Sequence, residues 1–410
     1  MSGCPVAHDF DPLADGYLSS PYPVLNDLRS QAPVHYVPSI DHWIVTRYAD
    51  VATILADPAT FSAANAQSPL TTLVPEAAET LRSGLRNTPV LSNFDPPGHN
   101  RVRRLLAPLF SLRRVAELKP RIAGFTTELL DVVESRGRAD IIDALAFPLP
   151  ALTLFRLLGF PEDDAERLKS WCGEKLEVNW GRPDADYQLR ATKNIVLFWD
   201  YCEKYVSVRK QDLGDDLTSD LLRQRESNPD ALDDREVASV VFALSFAGHE
   251  TTTNLIGNAL HHLLARPGLW RRLREDPSLI AGAVHETLRY DSSVIAWRRV
   301  TTRPAEIGGT ALPEGARLML ALGAANHDPA VFPDPEEFDV ERPNAHTQLS
   351  FGRGIHFCLG HLLARVELET VLGLLSQRFP SMRLVPGQDV RYPRNISFRG
   401  PISLEVEWDR

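Results

Sequence analysis

The sequence predicts a mainly α-helical fold with small β-sheets gathered at one side, built around one long central helix. Three observations carry this. Apolar residues recur at helical spacing through much of the chain, as from Val115 to Val133, Ala144 to Leu158, Asp163 to Leu176 and Gln188 to Val208. The stretch opening at Asp233 is apolar nearly all round its first half, the mark of a helix buried on every side. Strand-like pieces are short, and 31 prolines, often closing short segments, imply many elements joined by ordered turns.

A chain of 410 residues is long enough for two or three cores, yet no linker, repeat or low-complexity tract divides it, so residues 1–410 read as one domain. A formal net charge of -10 argues against nucleic acid as a partner. No apolar run approaches the length of a membrane span, and Met1 to Asp9 lacks the charged start and apolar core of a secretion signal, so no membrane association and a cytoplasmic location are expected. Cys4, Cys172, Cys202 and Cys358 stand far apart with no C-x-x-C pair, which suggests neither a zinc site nor a disulfide framework and suits a reducing compartment.

Taken in order, Tyr22 to Leu28 reads as helix, Val34 to Val37 and Trp43 to Thr46 as two short strands, and Asp50 to Leu55 as helix again. From Phe61 to Asp95 the periodicity is weak and Ser, Thr, Ala and Pro abound, so largely irregular surface chain is expected. Asp95-Pro96-Pro97-Gly98-His99 then opens a helix through Phe110, with Arg101, Arg103 and Arg104 in its first half. His99 and Arg103 lie four apart on one helical face, where they can grip an anionic group together.

Asp233 and Glu236 form a capping box, and the helix they start should run to about Arg266, before Pro267-Gly268, over roughly 45 Å. Its middle, Ala247-Gly248-His249-Glu250-Thr251-Thr252-Thr253, collects poor helix formers, and a local rule broken inside a core element tends to mark a site. His249-Glu250 and His285-Glu286 begin like a zinc H-E-x-x-H, but Thr253 and Arg289 occupy the fifth positions, so neither supplies a second imidazole. Leu279 to Tyr290 is a further helix, in which Glu286 and Arg289 can pair. Val294 to Val300 reads as strand, and Glu306-Ile307, Arg317-Leu318 and Ser403 to Val406 would complete small sheets.

The most informative stretch is Phe351-Gly352-Arg353-Gly354-Ile355-His356-Phe357-Cys358-Leu359-Gly360. Gly352, Gly354 and Gly360 describe a tight bend whose backbone is pressed against a flat object. Leu362, Leu363, Val366, Leu368, Val371 and Leu375 follow at helical spacing, placing Cys358 at a helix N-terminus, where open N–H groups and the dipole favour a thiolate. A low-pKa thiolate in that setting is either a nucleophile or a metal ligand.

The pattern F-x-x-G-x-H-x-C-x-G, with Ala364 and Arg365 after it, resembles the haem-thiolate loop of the cytochromes P450. The resemblance implies that fold, with a long central helix over a haem, and makes Cys358 the axial ligand of haem b iron. Asp95-Pro96-Pro97-Gly98-His99 through Arg103 is similar to the family's D-P-P-x-H-x-x-x-R element, which implies that His99 and Arg103, with Arg299 and His356, neutralise the haem propionates; Arg298 is the adjacent alternative. Phe351, Gly352 and Gly360 would pack against the cofactor on the cysteine side, with Ala247 and Gly248 on the other, where small residues leave room for oxygen and substrate. Ala247 to Thr251 resembles the A-G-x-E/D-T motif, so Glu250 and Thr251 would be the acid and alcohol that order water and relay protons. Glu286 and Arg289 match the family's E-x-x-R, implying a buried structural triad completed by Arg342.

The resemblance also places Val90, Leu91, Val178, Leu244, Val294, Ile295, Ala296, Ile396 and Phe398 around the pocket, which points to a small to medium apolar substrate, while Arg86 and Arg182 leave an anionic anchor open. No second nucleotide fingerprint and no cysteine cluster are present, so electrons would come from a ferredoxin or an NAD(P)H-dependent reductase, fused or separate. Arg103, Arg104, Arg113, Arg114, Arg353 and Arg365 would form a basic patch on the cysteine side for an acidic ferredoxin. Asn179 to Pro183, Ala296 to Val300 and Asn395 to Pro401 resemble the reductase-fused, self-sufficient subclass, so the chain would be either a stand-alone relative or a haem module cut from one. The expected activity is that of a monooxygenase using O2 to hydroxylate or O-dealkylate its substrate. Its rivals are a peroxide-driven haem-thiolate peroxygenase and a non-catalytic haem sensor; the sensor needs a second strong axial ligand, for which only His249 is near and on a helix position expected to point away.

Overall fold

Two helices, Asp234–Ala247 and Glu250–Leu264, run end to end through the middle of the computed structural model, which describes residues 10–85, 90–228 and 232–410. The first starts as its sequence dictates. The Glu236 amide donates to Asp233 Oδ1 at 2.7 Å, and Glu236 Oε2 accepts from the Asp233 amide at 3.0 Å. The single long helix expected there is interrupted at Gly248-His249. The Thr251 hydroxyl donates to Ala247 O at 2.8 Å, a back-bond of the kind that bends helices, and Ser245 O accepts from the Cys172 thiol at 3.5 Å.

The two halves bury themselves in different cores. Val237, Val241 and Phe242 pack with Leu154, Phe155, Phe198 and Trp199, whereas Leu255, Ile256, Ala259 and Leu260 pack with Ile122, Leu130, Val284, Leu368 and Val371. The surrounding helices fall where the apolar periodicity puts them, at Leu112–Val133, Pro148–Leu158, Ala165–Trp180, Ala185–Arg209, Leu279–Tyr290 and His361–Arg378.

A 5-stranded sheet lies to one side, in the order Val34–Val37, His42–Val45, Arg317–Leu320, Trp297–Thr301, Phe61–Ser62. Arg299 faces Leu318 in this register, and because successive side chains on a strand alternate, Arg298 and Arg299 point to opposite faces. The strand expected from Val294 begins only at Trp297, Val294 itself making an isolated bridge to Phe398.

The span from Phe61 to Asp95 is more ordered than its composition suggests. It holds the strand Phe61–Ser62, the helix Pro75–Leu85 and a helical turn at Leu91–Asn93. Packing decides this: a Cβ on Gly84 would come within 2.4 Å of Val196, so the glycine lets Pro75–Leu85 lie directly on Ala185–Arg209. Among the described residues no helix is long and apolar enough to cross a membrane. Cys4 and Arg86 lie outside the described residues.

Candidate functional site

The cysteine loop is folded by its own backbone. The Cys358 amide donates to Phe351 O at 2.8 Å and the Gly352 amide to Leu349 O at 2.8 Å, closing a tight bend. Gly352 and Gly354 have φ of 72° and 70°, and a Cβ on Gly354 would meet Leu55 O at 2.6 Å, so glycine is required there. Gly360 differs from expectation. It has an ordinary φ of -85° as the N-cap of His361–Arg378, and a Cβ on it would meet nothing within 4 Å. The amides of Gly360 and His361 point at the Cys358 sulfur. Burial nonetheless pushes the thiol up from its usual range, against the pull of those amides and Arg103, so without a metal the helix terminus does not by itself produce the low-pKa thiolate expected.

Beside the cysteine lies a cluster of donors short of an anion. The His99 and His356 rings stand 4.4 Å apart, and Nε2 of each is buried with no hydrogen-bond partner. Arg299, 2% exposed, donates only to Arg298 O at 2.8 Å. Burial lowers His99, Arg103, Arg299 and His356 alike, and the positive neighbours Arg299, His99 and Arg103 help push His356 down to about 3. The adjacent alternative, Arg298, points elsewhere, with its guanidinium 3.9 Å from the Trp180 ring.

Glu250 and Thr251 sit just past the helix break, next to Ala247, an exposed residue on a helix otherwise mostly buried. No cation approaches Glu250 among the described residues, and burial pushes its carboxyl up to about 7. His249 turns away: its Nε2 lies 3.1 Å from Phe147 O and its ring packs 4.7 Å from Phe147. Glu286 and Arg289 are both fully buried and paired at 2.7 Å, and Arg342 Nε reaches the same Glu286 oxygen at 3.2 Å. Arg289 also donates to the carbonyls of Asn326, Pro335 and Glu337 at 2.9 to 3.0 Å, tying three segments together.

Comparison with known proteins bears on this geometry. The cytochrome P450 family model matches residues 183–395. The chain is 35% identical to the cytochrome P450 monooxygenase PikC of Streptomyces venezuelae over 99% of its own length and 95% of that protein's.

The chain is a cytochrome P450.

Two solved structures extend the likeness. Cytochrome P450 CREJ, solved in complex with (4-ethylphenyl) dihydrogen phosphate, matches with a TM-score of 0.94 at 35% identity, covering 98% of this chain and 100% of that one. An intact type IV self-sufficient cytochrome P450 monooxygenase matches with a TM-score of 0.95 at 35% identity, covering 99% of this chain and 53% of that one. This P450 is therefore a monooxygenase with a haem-thiolate cofactor, and it works with a redox partner.

The P450 pocket is only partly as expected. Val90, Leu91, Leu244 and Val294 keep open surface, as does Ala247. Val178, at 0% exposure, is packed into the core with Phe198 and Trp199. Ile396 and Phe398 pack with Ala296 and Trp180, and Ile295, Ile396 and Phe398 border a small separate recess against Tyr17 and Leu18. Arg182 is engaged with Asp11 at 2.9 Å on the surface.

The basic patch is also reduced. Arg113 pairs with Glu117, Arg114 with Asp220 and Arg365 with Glu369, and Arg103 is turned inward, which leaves Arg104 and Arg353. Helix neighbours four apart neutralise two of these charges locally.

Several groups escaped the sequence reading. Asp95 ties the 5-stranded sheet to the helix after it by accepting from the Ser62 hydroxyl and, at 3.0 Å, from the Ala63 amide. Asp291 accepts from Tyr22, His262 and Arg399 at 2.8, 3.0 and 2.9 Å, and two of these partners, Tyr22 and Arg399, lie more than 100 residues from it. Lys175 and Gln67 meet at 2.7 Å from equally separate segments. A polar residue on a largely apolar helix face is the one sequence signal Lys175 carries.

Proposed function

We propose that residues 1–410 form a single P450 haem domain that hydroxylates or O-dealkylates a small to medium organic substrate with an apolar body, taking electrons from a ferredoxin or an NAD(P)H-dependent reductase. The observation that carries the haem assignment is the cluster of His99, Arg103, Arg299 and His356: four donors that, among the described residues, make no ion pair and feel only the more distant carboxylate of Asp95, next to a cysteine whose sulfur faces two amides. Buried cationic groups are costly unless an anion joins them. Haem b fits this donor set: Cys358 would hold its iron as a thiolate and the four donors would hold its propionates.

When bound, the haem supplies the redox chemistry by which dioxygen is activated. Around it, the Gly360 and His361 amides stabilise negative charge on the Cys358 sulfur. Gly352, Gly360 and Phe351 would hold the cofactor on the cysteine side, while the small residues Ala247 and Gly248 would leave room for oxygen and substrate. Thr251 holds a hydroxyl anchored to Ala247 O, available to order a water, and Glu250, poised near neutrality, takes a proton from solvent and gives it up inside. The Glu286–Arg289–Arg342 triad fixes the segments under the cysteine loop without touching the chemistry. A relay carboxyl supports an oxygen-dependent monooxygenase over a peroxide-driven enzyme, and the bonded ring of His249 weighs against a sensor with two axial protein ligands. The aromatic ligand of CREJ supports a substrate body of similar size.

The test separates oxygen use from product formation. Thr251→Ala is expected to keep consuming NAD(P)H and oxygen while releasing hydrogen peroxide in place of most of the product; unchanged coupling would remove Thr251 from the relay.

A further inference from the structure

Lys175 is a partly open ammonium with no carboxylate to meet it. On the helix Ala165–Trp180, its Nζ donates to the neutral Gln67 Oε1 at 2.7 Å and stands 5.1 Å from the Phe246 ring centroid. Among the described residues the ionisable groups that bear on it are Arg298, which repels it, and the Cys172 thiol; burial and Arg298 together press it down to about 8. Arg298 is itself without an anion, 1% exposed, with its Nε unpartnered and one bond at 3.1 Å to Ala66 O. Two like charges held largely out of water without a counterion, Arg298 fully buried and Lys175 half-buried, are expensive to keep, and a protein that keeps them has a use for the field they make.

Their place in the fold says what the use is. Phe246 directly precedes the exposed Ala247 at the helix break, and Cys172, one turn before Lys175, donates to Ser245 O, so Lys175 stands beside the oxygen-binding side of the central helix. Gln67 donates onward to Ser92 Oγ at 2.9 Å, and Ser92 lies between Val90, Leu91 and the rest of the helical turn that borders the apolar pocket. Asn179 Nδ2 also reaches Gln67 Oε1, at 3.3 Å. Lys175, Ser92 and Asn179 thus converge on one amide, beside the apolar cluster that Val90, Leu91 and Leu244 form with Phe246.

We propose that Lys175 anchors an anionic head group on the substrate, with the charge of Arg298 behind it, so that the substrate class is an aryl or alkyl carboxylate or phosphate monoester whose apolar end faces Ala247 and Thr251. This rests on the monooxygenase reading and revises the neutral substrate that an apolar lining alone suggests. Gln67 holds the ammonium in place until the anion arrives, and Lys175 is a specificity-determining residue without a role in oxygen chemistry.

The experiment is equilibrium dialysis, alongside haem spin-state titration, of 4-ethylphenyl phosphate, 4-ethylbenzoate and the neutral 4-ethylanisole against the purified haem-loaded chain and its Lys175→Met and Lys175→Arg variants. The anions should bind at least about tenfold more tightly than the anisole. That advantage should collapse in Lys175→Met and return at least in part in Lys175→Arg. If both anions depend on Lys175, charge alone is recognised; if only one does, that head group is the class. A preference for the anisole, or anion affinity that survives in Lys175→Met with its carbon monoxide spectrum intact, overturns the assignment. Failure of the wild-type chain to give the red-shifted ferrous carbon monoxide band of thiolate-bound haem would instead sink the monooxygenase reading.

Discussion

Glu286, fully buried, and Glu250, half-buried, are glutamates on neighbouring helices in opposite electrostatic states. Glu286 is saturated: two arginines and the Asp339 amide surround its oxygens at 2.7 to 3.2 Å. Glu250 meets no cation among the described residues, and burial lifts it to about 7. A carboxylate whose charge is fully answered holds segments together, whereas one left unanswered in a buried setting is ready to exchange a proton near neutrality. The same contrast separates Asp291, held well below the usual carboxylate range by Arg399, His262 and Tyr22 despite its burial, from Lys175 and Arg298, which no carboxylate meets. Glu367 falls on the unanswered side with Glu250: one of its oxygens is buried without a partner, and burial pushes its carboxyl up to about 8.

The comparison breaks most completely at the group both glutamates serve. Cys358→Ala should abolish turnover and the thiolate-type carbon monoxide band, read by reduced difference spectroscopy on folded protein. Next comes the saturated glutamate: Glu286→Ala strands two buried arginines and should cost about 3–5 kcal/mol of stability, measured by denaturant unfolding. Glu250→Gln, by contrast, should fold normally and lower turnover roughly 10²-fold, while the inflection near pH 7 in the wild-type rate profile disappears; a profile that keeps its inflection assigns the proton to another group.

The smallest effect is on stability against pH. Because Glu250 is raised above its usual 4.5, the folded protein retains a proton that the unfolded chain has released, so stability falls as pH rises from about 4.5 to about 7. Glu250→Gln should flatten that decline, whereas no such window is expected from Asp291, whose shift is downward and whose stabilisation is present across this range and is lost only in stronger acid.

What the sequence determined alone is local. The three-residue spacing of Glu286 and Arg289 puts them on one helix face, the Asp233–Glu236 box starts a helix without help, and the positive φ of Gly352 and Gly354 is a demand that their own turn makes. Apolar spacing likewise located most helices, since each needs only its own stripe. Tertiary structure decided the rest. Pro75–Leu85 has weak periodicity and is secured by Ala185–Arg209; the central helix breaks where Cys172 and Thr251 claim carbonyls of its middle turn; and Val178 faces a core that only packing defines. Whether a charge is answered also belongs to this level. Lys175, Gln67, Phe246 and Arg298 come from four separate stretches, so neither the missing carboxylate nor the burial that makes it costly has any signature in the order of residues along the chain.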